Sequence, residues 1–296
     1  MAAELILDAR NATGESPVWV PAEAALYWVD IPARTIWRWE SASGAVRSWS
    51  LPEMVGCIAH IDGARWLAGL EHSLSIVTLG DDRAARCEPF VSVRHAAAGM
   101  RCNDGRCDRD GRFIVGTMAL DMAAALPLGT VTAYGRDDGV RLLASGLITP
   151  NGLAFSPEGT TMYLSDSHPN VQAIWAFDYD RASGEAKNRR LFVDMKALPG
   201  RPDGAAVDAE GCYWICGNDA GLVHRFTPEG RLDRSLAVPV KKPAMCAFGG
   251  ADLDTLFVTS IRPALPDEAL ADQPLAGGLF ALNPGVRGVA EPRFRP

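Results

Sequence analysis

Hydrophobic positions along the chain recur in short runs and form no long helical stripe. Six times, an aromatic residue begins or nearly begins a brief apolar run that ends in small or polar residues: Tyr27 in LYWVDI, Trp66 in RWLAGL, Phe113 in RFIVGT, Tyr163 in MYLSDS, Tyr213 in CYWICG and Phe257 in LFVTS. Successive aromatic residues lie 39 to 50 residues apart. A repeat of roughly 45 residues predicts one supersecondary unit copied along the chain.

Each repeat has room for four short strands. A second apolar segment lies upstream of each aromatic residue, as in ESPVW and PNGLAF, and alternating segments such as TIWRW follow it. Gly44, Gly184 and Gly230 stand where third and fourth strands would turn. The pattern predicts an all-β, six-bladed β-propeller with four antiparallel strands per blade, spanning 1–296 as a single domain. Two β-sandwiches of three repeats each are the alternative, but no linker is visible near residue 150.

Composition and charge narrow the range of partners that the protein could bind. The 296 residues are 48% hydrophobic and 22% charged, with a net charge of −7. This acidity argues against a nucleic-acid surface and against a polybasic membrane patch. Glu4, Asp8 and Arg10 interrupt the first apolar run, so neither a signal peptide nor a spanning helix is expected. We therefore expect a cytoplasmic protein with a small-molecule partner, and a monomer as the default for a closed propeller.

The seven cysteines favour free thiols. Their number is odd and no CxxC pair occurs. A cysteine-ligated zinc site is a weaker alternative, because the CxxxxC and CxxxC spacings lack a matching second pair. No GxSxG, GxGxxG or P-loop motif occurs, which disfavours a serine hydrolase and leaves no recognisable nucleotide site.

The innermost strand of each blade should line a central channel. The starts of these strands contribute Glu15, Cys57, Asn103, Asn151, Asp203 and Cys246 or their close neighbours. Glu15, Asn151 and Asp203 offer two carboxylates and an amide oxygen, a donor set that suits a hard divalent cation. Three protein ligands would leave positions open for water and substrate. The alternative is structural, because Asn-Gly and Asp-Gly are also common turn dipeptides.

Seven segments give the chain a resemblance to the regucalcin/gluconolactonase/luciferin-regenerating enzyme family. They follow one another at comparable spacing over essentially the whole chain: GESPVW (14–19), RCNDGRCDRDGRFIVGTM (101–118), TPNGLAFSPEG (149–159), YLSDS (163–167), FDYDRASGEAKNRR (177–190), RPDGAAVDAEG (201–211) and PLAGGLFAL (274–282). The resemblance implies a six-bladed propeller with one divalent metal ion (Ca, Zn, Mn, Mg or Fe) and hydrolysis of sugar lactones.

The resemblance also implies roles for individual residues. Glu15, Asn151 and Asp203 would bind the metal, and Asp203 would double as catalytic acid/base. Arg101 and Asn103 of the RxND motif would bind substrate. A lid loop would correspond to 119–128, with Asp121 in place of the glutamate that animal members carry at the substrate contact.

The chemistry expected of such a site is the opening of a five- or six-carbon aldonolactone, with the metal polarising the carbonyl and Asp203 as general base. A non-catalytic calcium-binding or protein-interaction propeller and a hydrolase of a non-sugar ester remain alternatives. His168, after YLSDS, is expected in a surface loop, with the channel mouth as the alternative. Most of the eight tryptophans are expected in packing between strands.

Overall fold

The computed structural model describes residues 3–135 and 139–296, and their strands form a six-bladed β-propeller. Each blade is an antiparallel sheet of four strands. Blade 1 contains β2 (Gly14–Val20), β3 (Ala25–Asp30), β4 (Thr35–Glu40) and β5 (Val46–Ser50). Blade 2 contains β6 (Cys57–Asp62), β7 (Arg65–Gly69), β8 (Ser73–Thr78) and β9 (Arg86–Ser92). Blade 3 contains β10 (Met100–Cys107), β11 (Phe113–Ala119), β12 (Gly129–Gly135) and β13 (Gly139–Leu147).

The remaining blades follow the same plan. Blade 4 contains β14 (Pro150–Phe155), β15 (Thr161–Asp166), β16 (Ala173–Asp180) and β17 (Glu185–Asp194). Blade 5 contains β18 (Arg201–Val207), β19 (Tyr213–Asn218), β20 (Leu222–Phe226) and β21 (Leu232–Ala237). Blade 6 contains β22 (Pro243–Gly249), β23 (Thr255–Ser260), β24 (Leu279–Leu282) and β1 (Glu4–Leu7). Short 3₁₀ helices span Pro21–Glu23, Met122–Ala124, Met195–Ala197 and Asp267–Leu270.

The first strands of the blades form the inner ring, because each packs against the first strands of its neighbours. The predicted repeat is confirmed: the six recurring aromatic residues lie on the second strands β3, β7, β11, β15, β19 and β23. Gly44, Gly184 and Gly230 occupy turns between third and fourth strands, each with a φ near +70° to +80°. A positive φ favours glycine because a Cβ would be strained there.

Blade interfaces are filled by the recurring aromatic residues. Tyr27 of β3 meets Trp66 of β7 with ring centroids 4.4 Å apart, and Tyr163 of β15 meets Tyr213 of β19 at 4.8 Å. An apolar cluster fills each of the six interfaces between neighbouring blades. All eight tryptophans lie in these clusters or pack against them. The predicted packing role of the tryptophans is confirmed.

The two chain ends close the fold in ways that no repeat predicted. β1 pairs with β24, with Leu5 opposite Phe280, and so completes blade 6 from the start of the chain. The C-terminal segment 288–295 lies across the end of the channel where the inner strands finish. There Glu291 is 3.3 Å from the Arg106 guanidinium, and buried Phe294 packs on Phe113. The C-terminal segment therefore covers part of the channel at that end.

Within the described ranges, 3–135 and 139–296, no helix is long and apolar enough to cross a membrane. Six of the seven cysteines are buried, and Cys87 is partly exposed.

Candidate functional site

A cavity of about 180 Å³ opens at the end of the channel where the inner strands begin. Five of the six predicted site residues line it: Glu15, Arg101, Asn103, Asn151 and Asp203. They come from the inner strands of blades 1, 3, 4 and 5. The rest of the lining consists of Thr13, Ile31, Met118, Met122, Thr149, Ser167, Arg201, Asn218 and Ile261.

Irregular strand pairing turns these side chains toward the cavity. The register between first and second strands shifts immediately after Glu15, across Asn103, after Asn151 and across Asp203. Such bulges leave a residue unpaired and re-aim the neighbouring side chains. Gly152 shows why a small residue follows one ligand candidate: its φ is +61°, and a Cβ there would lie 2.5 Å from the Tyr213 hydroxyl oxygen.

Asp203 is held from both sides by carboxamide donors. Asn151 Nδ2 donates to its Oδ1 at 2.6 Å, and Asn218 Nδ2 donates to its Oδ2 at 2.6 Å. Burial raises the pKa of Asp203 to about 7, although the Asn218 hydrogen bond and the Arg201 charge oppose that rise. A carboxylate fixed in this way has a defined orientation toward the cavity.

Glu15 is the second buried carboxylate of the cavity. It is 7% exposed, and its Oε2 accepts from the backbone N–H of Ser16 at 3.1 Å. Burial raises its pKa well above the usual range, and the charges of Asp203 and Asp104 raise it further. An ionised Glu15 beside these carboxylates is therefore costly unless a proton or a cation compensates its charge.

Arg101 and Asn103 form a hydrogen-bonded pair. Arg101 Nη1 donates to Asn103 Oδ1 and to the Cys102 carbonyl, both at 2.8 Å, and Asn103 Nδ2 donates to the Pro150 carbonyl at 3.0 Å. Burial lowers the pKa of Arg101, while the Glu15 carboxylate raises it. None of the salt bridges found in the described residues uses Arg101, so its charge is held in the cavity without an acidic partner in contact.

Asp121 is placed differently from the other five. It is exposed and does not line the cavity, and its carboxylate caps the helix Met122–Ala124 by accepting from Ala123 N at 3.1 Å and Ala124 N at 3.3 Å. Its contact with substrate stays a prediction. The neighbouring Met122 lines the cavity instead.

Nine lining residues were not among the predicted site residues, and three of them bear on the geometry of the site: Ser167, Asn218 and Met122. Asn218 and Ser167 belong to or follow second strands, and Met122 belongs to the predicted lid. Asn218 had a usable signal, since the end of a second strand lies beside the start of the inner strand, and Asn218 pairs with Arg201 there. His168 is 7% exposed and contacts Met122 at the cavity mouth, so the expected surface loop is wrong and the alternative holds.

The donor set fits a divalent cation through oxygen atoms alone. Among residues 3–135 and 139–296, no three histidine, cysteine, aspartate or glutamate side chains cluster to hold a metal. Glu15, Asp203 and Asn151 supply two carboxylates and one carboxamide. The hard oxygen donors suit Ca²⁺, Mg²⁺ or Mn²⁺, and the charge of a divalent ion would balance the two carboxylates.

The chain is therefore a six-bladed β-propeller whose channel cavity is lined by two carboxylates, a carboxamide and an arginine. Residues 13–262 match the family described as SMP-30/Gluconolactonase/LRE-like region. The chain belongs to this family, as its motifs predicted.

Two curated relatives cover nearly the whole chain. The 6-deoxy-6-sulfogluconolactonase of Pseudomonas putida is 36% identical over 96% of this chain and 95% of its own length. The L-arabinolactonase of Azospirillum brasilense is 35% identical over 99% of this chain and 95% of its own length. Among solved structures, a calcium-binding protein, regucalcin, from Agrobacterium tumefaciens superposes with a TM-score of 0.92 at 28% identity, covering 100% of this chain and 98% of that one.

Proposed function

We propose that this protein is a metal-dependent lactonase that hydrolyses a sugar lactone to the corresponding aldonic acid. The observation that carries the proposal is the convergence of Glu15, Asn151 and Asp203 in one cavity with the Arg101–Asn103 pair. The two lactonase relatives, each about one-third identical over nearly full length, support the same reaction class. We place the activity in the cytoplasm and in a single copy of the chain, as composition and a closed propeller suggest.

Glu15, Asn151 and Asp203 would hold the ion. Glu15 and Asp203 are each 7% exposed, and the pKa of each is raised chiefly by burial. A buried carboxylate without a compensating charge is costly, so the pair is better explained by a cation than by packing. When bound, a divalent ion supplies Lewis-acid polarisation of the lactone carbonyl. Calcium, zinc, manganese, magnesium and iron all remain within the proposal.

Asp203 is the general base of the proposed reaction. The carboxylate would take a proton from the attacking water and return it to the ring oxygen as the lactone C–O bond breaks, which leaves the carboxylic acid and a free hydroxyl. The amide donors Asn151 and Asn218 hold its two oxygens in place. General-base catalysis of this kind typically contributes about 10²–10⁴-fold.

Arg101 and Asn103 would orient the sugar. Their mutual hydrogen bond and the bonds to Cys102 and Pro150 carbonyls fix the guanidinium, and its other N–H groups can donate to substrate hydroxyls. Asp121 would contact the substrate only after leaving its cap on Ala123 and Ala124, so in the proposal it contributes when the lid adjusts around the ligand.

A non-catalytic calcium-binding propeller is the second candidate, because the solved regucalcin at 28% identity is described as a calcium-binding protein. Ion binding alone has no use for the Arg101–Asn103 pair, which favours the enzyme. A hydrolase of a non-sugar ester would use the same groups and differ only in the substrate it accepts.

The test is acid release from a panel of pentono- and hexonolactones, with chelated protein and single metal ions added back. Spontaneous opening of each lactone is subtracted. Metal-dependent release that is lost in Asp203→Ala supports the proposal. Asp252→Ala, which removes an exposed carboxylate on the turn between β22 and β23, is the matched control. Stoichiometric calcium binding by folded protein without release from any lactone would favour the second candidate. Release from simple esters but not from aldonolactones would favour the third.

A further inference from the structure

The predicted lid, 119–128, starts at the last residue of β11, and its segment 120–128 connects β11 to β12 beside the cavity mouth. At its base, Leu120 N donates to the Gly99 carbonyl at 2.8 Å. Its helix Met122–Ala124 is capped by Asp121, and Met122 contributes to the cavity wall. Across the mouth, His168 of blade 4 approaches the Met122 carbonyl, with 3.2 Å between Nε2 and the oxygen.

The second ring nitrogen of His168 fixes the direction of that hydrogen bond. The backbone N–H of Asn170 donates to His168 Nδ1 at 3.2 Å, and a backbone N–H can only donate. Nδ1 must therefore be the unprotonated nitrogen, so the neutral ring carries its proton on Nε2. Nε2 then donates to Met122, and both ring nitrogens are used.

His168 is itself held by the segment that leads to a proposed metal ligand. The Asp166 carboxylate accepts from the backbone N–H of His168 at 3.1 Å, of Ile148 at 2.7 Å and of Thr149 at 3.0 Å. Thr149 lies two residues before Asn151. One buried carboxylate thus sets the position of His168 relative to the strand that carries Asn151.

We propose that His168 is a positioning residue that latches the lid across the cavity, so that Met122 forms a fixed wall for the substrate. The proposal rests on the lactonase function above and extends it to control of closure at the same site. His168 touches neither the reacting atoms nor the metal ligands. Its loss therefore weakens substrate capture and leaves the chemical step largely intact.

Two substitutions distinguish the hydrogen bond from His168 to the Met122 carbonyl from the hydrogen bond that His168 accepts from Asn170 N. In His168→Asn, the shorter amide can still accept from Asn170 N but cannot reach Met122. In His168→Gln, the longer amide can donate to the Met122 carbonyl. We expect His168→Asn to raise KM about five- to tenfold with kcat within about twofold, since one neutral hydrogen bond is lost, and His168→Gln to restore most of the KM.

Hydrogen–deuterium exchange of the metal-loaded protein without substrate supplies a readout apart from activity. Amides of 120–128 should exchange several-fold faster in His168→Asn than in the wild type and near the wild-type rate in His168→Gln. Exchange in β15 (Thr161–Asp166) should stay unchanged, which reports that blade 4 is folded. Met122→Ala should raise KM while amide exchange in the lid stays slow. The substitution removes the side chain that lines the cavity but keeps the backbone carbonyl that His168 contacts.

Unchanged lid exchange in His168→Asn would overturn the latch, as would a His168→Gln variant that behaves like His168→Asn. A fall in kcat at constant KM would overturn it too, since that would place His168 in the chemistry. If the wild-type protein opens no lactone, the proposed function fails, while the exchange rates alone still decide whether His168 holds the lid.

Discussion

Replacing Asp203 by asparagine should stabilise the metal-free protein at neutral pH while abolishing lactone hydrolysis. Both oxygens of the Asp203 carboxylate are held by amide donors, and burial raises its pKa from an ordinary value of 3.8 to about 7. An asparagine keeps the shape, and the amide of Asn151 or Asn218 can rotate to accept from it. The substitution therefore removes mainly a buried negative charge.

The direction in which stability changes with pH follows from the number of protons that the folded and unfolded states bind. Because the folded-state pKa is raised, the folded protein binds more protons than the unfolded chain between about pH 4 and pH 7, so its stability falls as the pH rises through that window. Between about pH 5 and pH 8, roughly two units of that window are crossed, which corresponds to about 3 kcal/mol at 1.36 kcal/mol per unit. For a chain of this length, with an unfolding entropy of roughly 0.6 kcal/mol per kelvin, the shift is about 5 °C in Tm.

The assay is the thermal midpoint of chelated wild-type protein and Asp203→Asn at about pH 5 and about pH 8. The wild-type midpoint should fall relative to the variant by about 5 °C at the higher pH, and a divalent ion should restore the wild type more than the variant. Loss of the Asp203 charge also lowers the pKa of Glu15 toward its usual range, and this too stabilises the variant relative to the wild type at the higher pH. The reasoning would be refuted if the difference in Tm between the wild type and Asp203→Asn were the same at both pH values.

Arg101→Ala should lower kcat/KM at least tenfold while metal content by elemental analysis stays normal, and loss of metal would mean that its role is misassigned. Asn218→Ala removes the hydrogen bond to Asp203 Oδ2 and should weaken metal affinity about tenfold in calorimetric titration; unaltered affinity would limit Asn218 to packing. Phe294→Ala should cost about 3–5 kcal/mol of unfolding free energy in denaturant titration, with activity per folded molecule unchanged, and a loss of activity instead would connect the C-terminal segment to the site.

Local patterns predicted the blades because each blade repeats its own apolar core. Tyr27, Trp66, Tyr163 and Tyr213 belong to the aromatic repeat of 39 to 50 residues, because each fills the corresponding place between neighbouring sheets. β1 left no such signal. Its pairing with β24 depends on a partner at the far end of the chain, and nothing in its own four residues specifies that partner.

Site residues could be predicted where the sequence shows that the backbone bends beside them. Small or rigid residues follow Glu15, Asn151 and Asp203, and they coincide with bulges that turn these side chains inward. Asn218 follows instead from pairing within blade 5, where the end of β19 lies beside the start of β18. His168 carries no such marker. Its role depends on which loops meet over the channel, and that meeting is a property of the closed ring rather than of one repeat.

Closure of blade 6 by β1 also has a consequence for synthesis. Leu5 pairs with Phe280, about 275 residues away, and bringing such distant segments together costs about 5 kcal/mol of chain entropy. β1 is synthesised long before β24, so it stays unpaired until β24 has left the ribosome. The ring can therefore close only once β24 has emerged, and the cavity that carries Glu15 and Asp203 is completed no earlier.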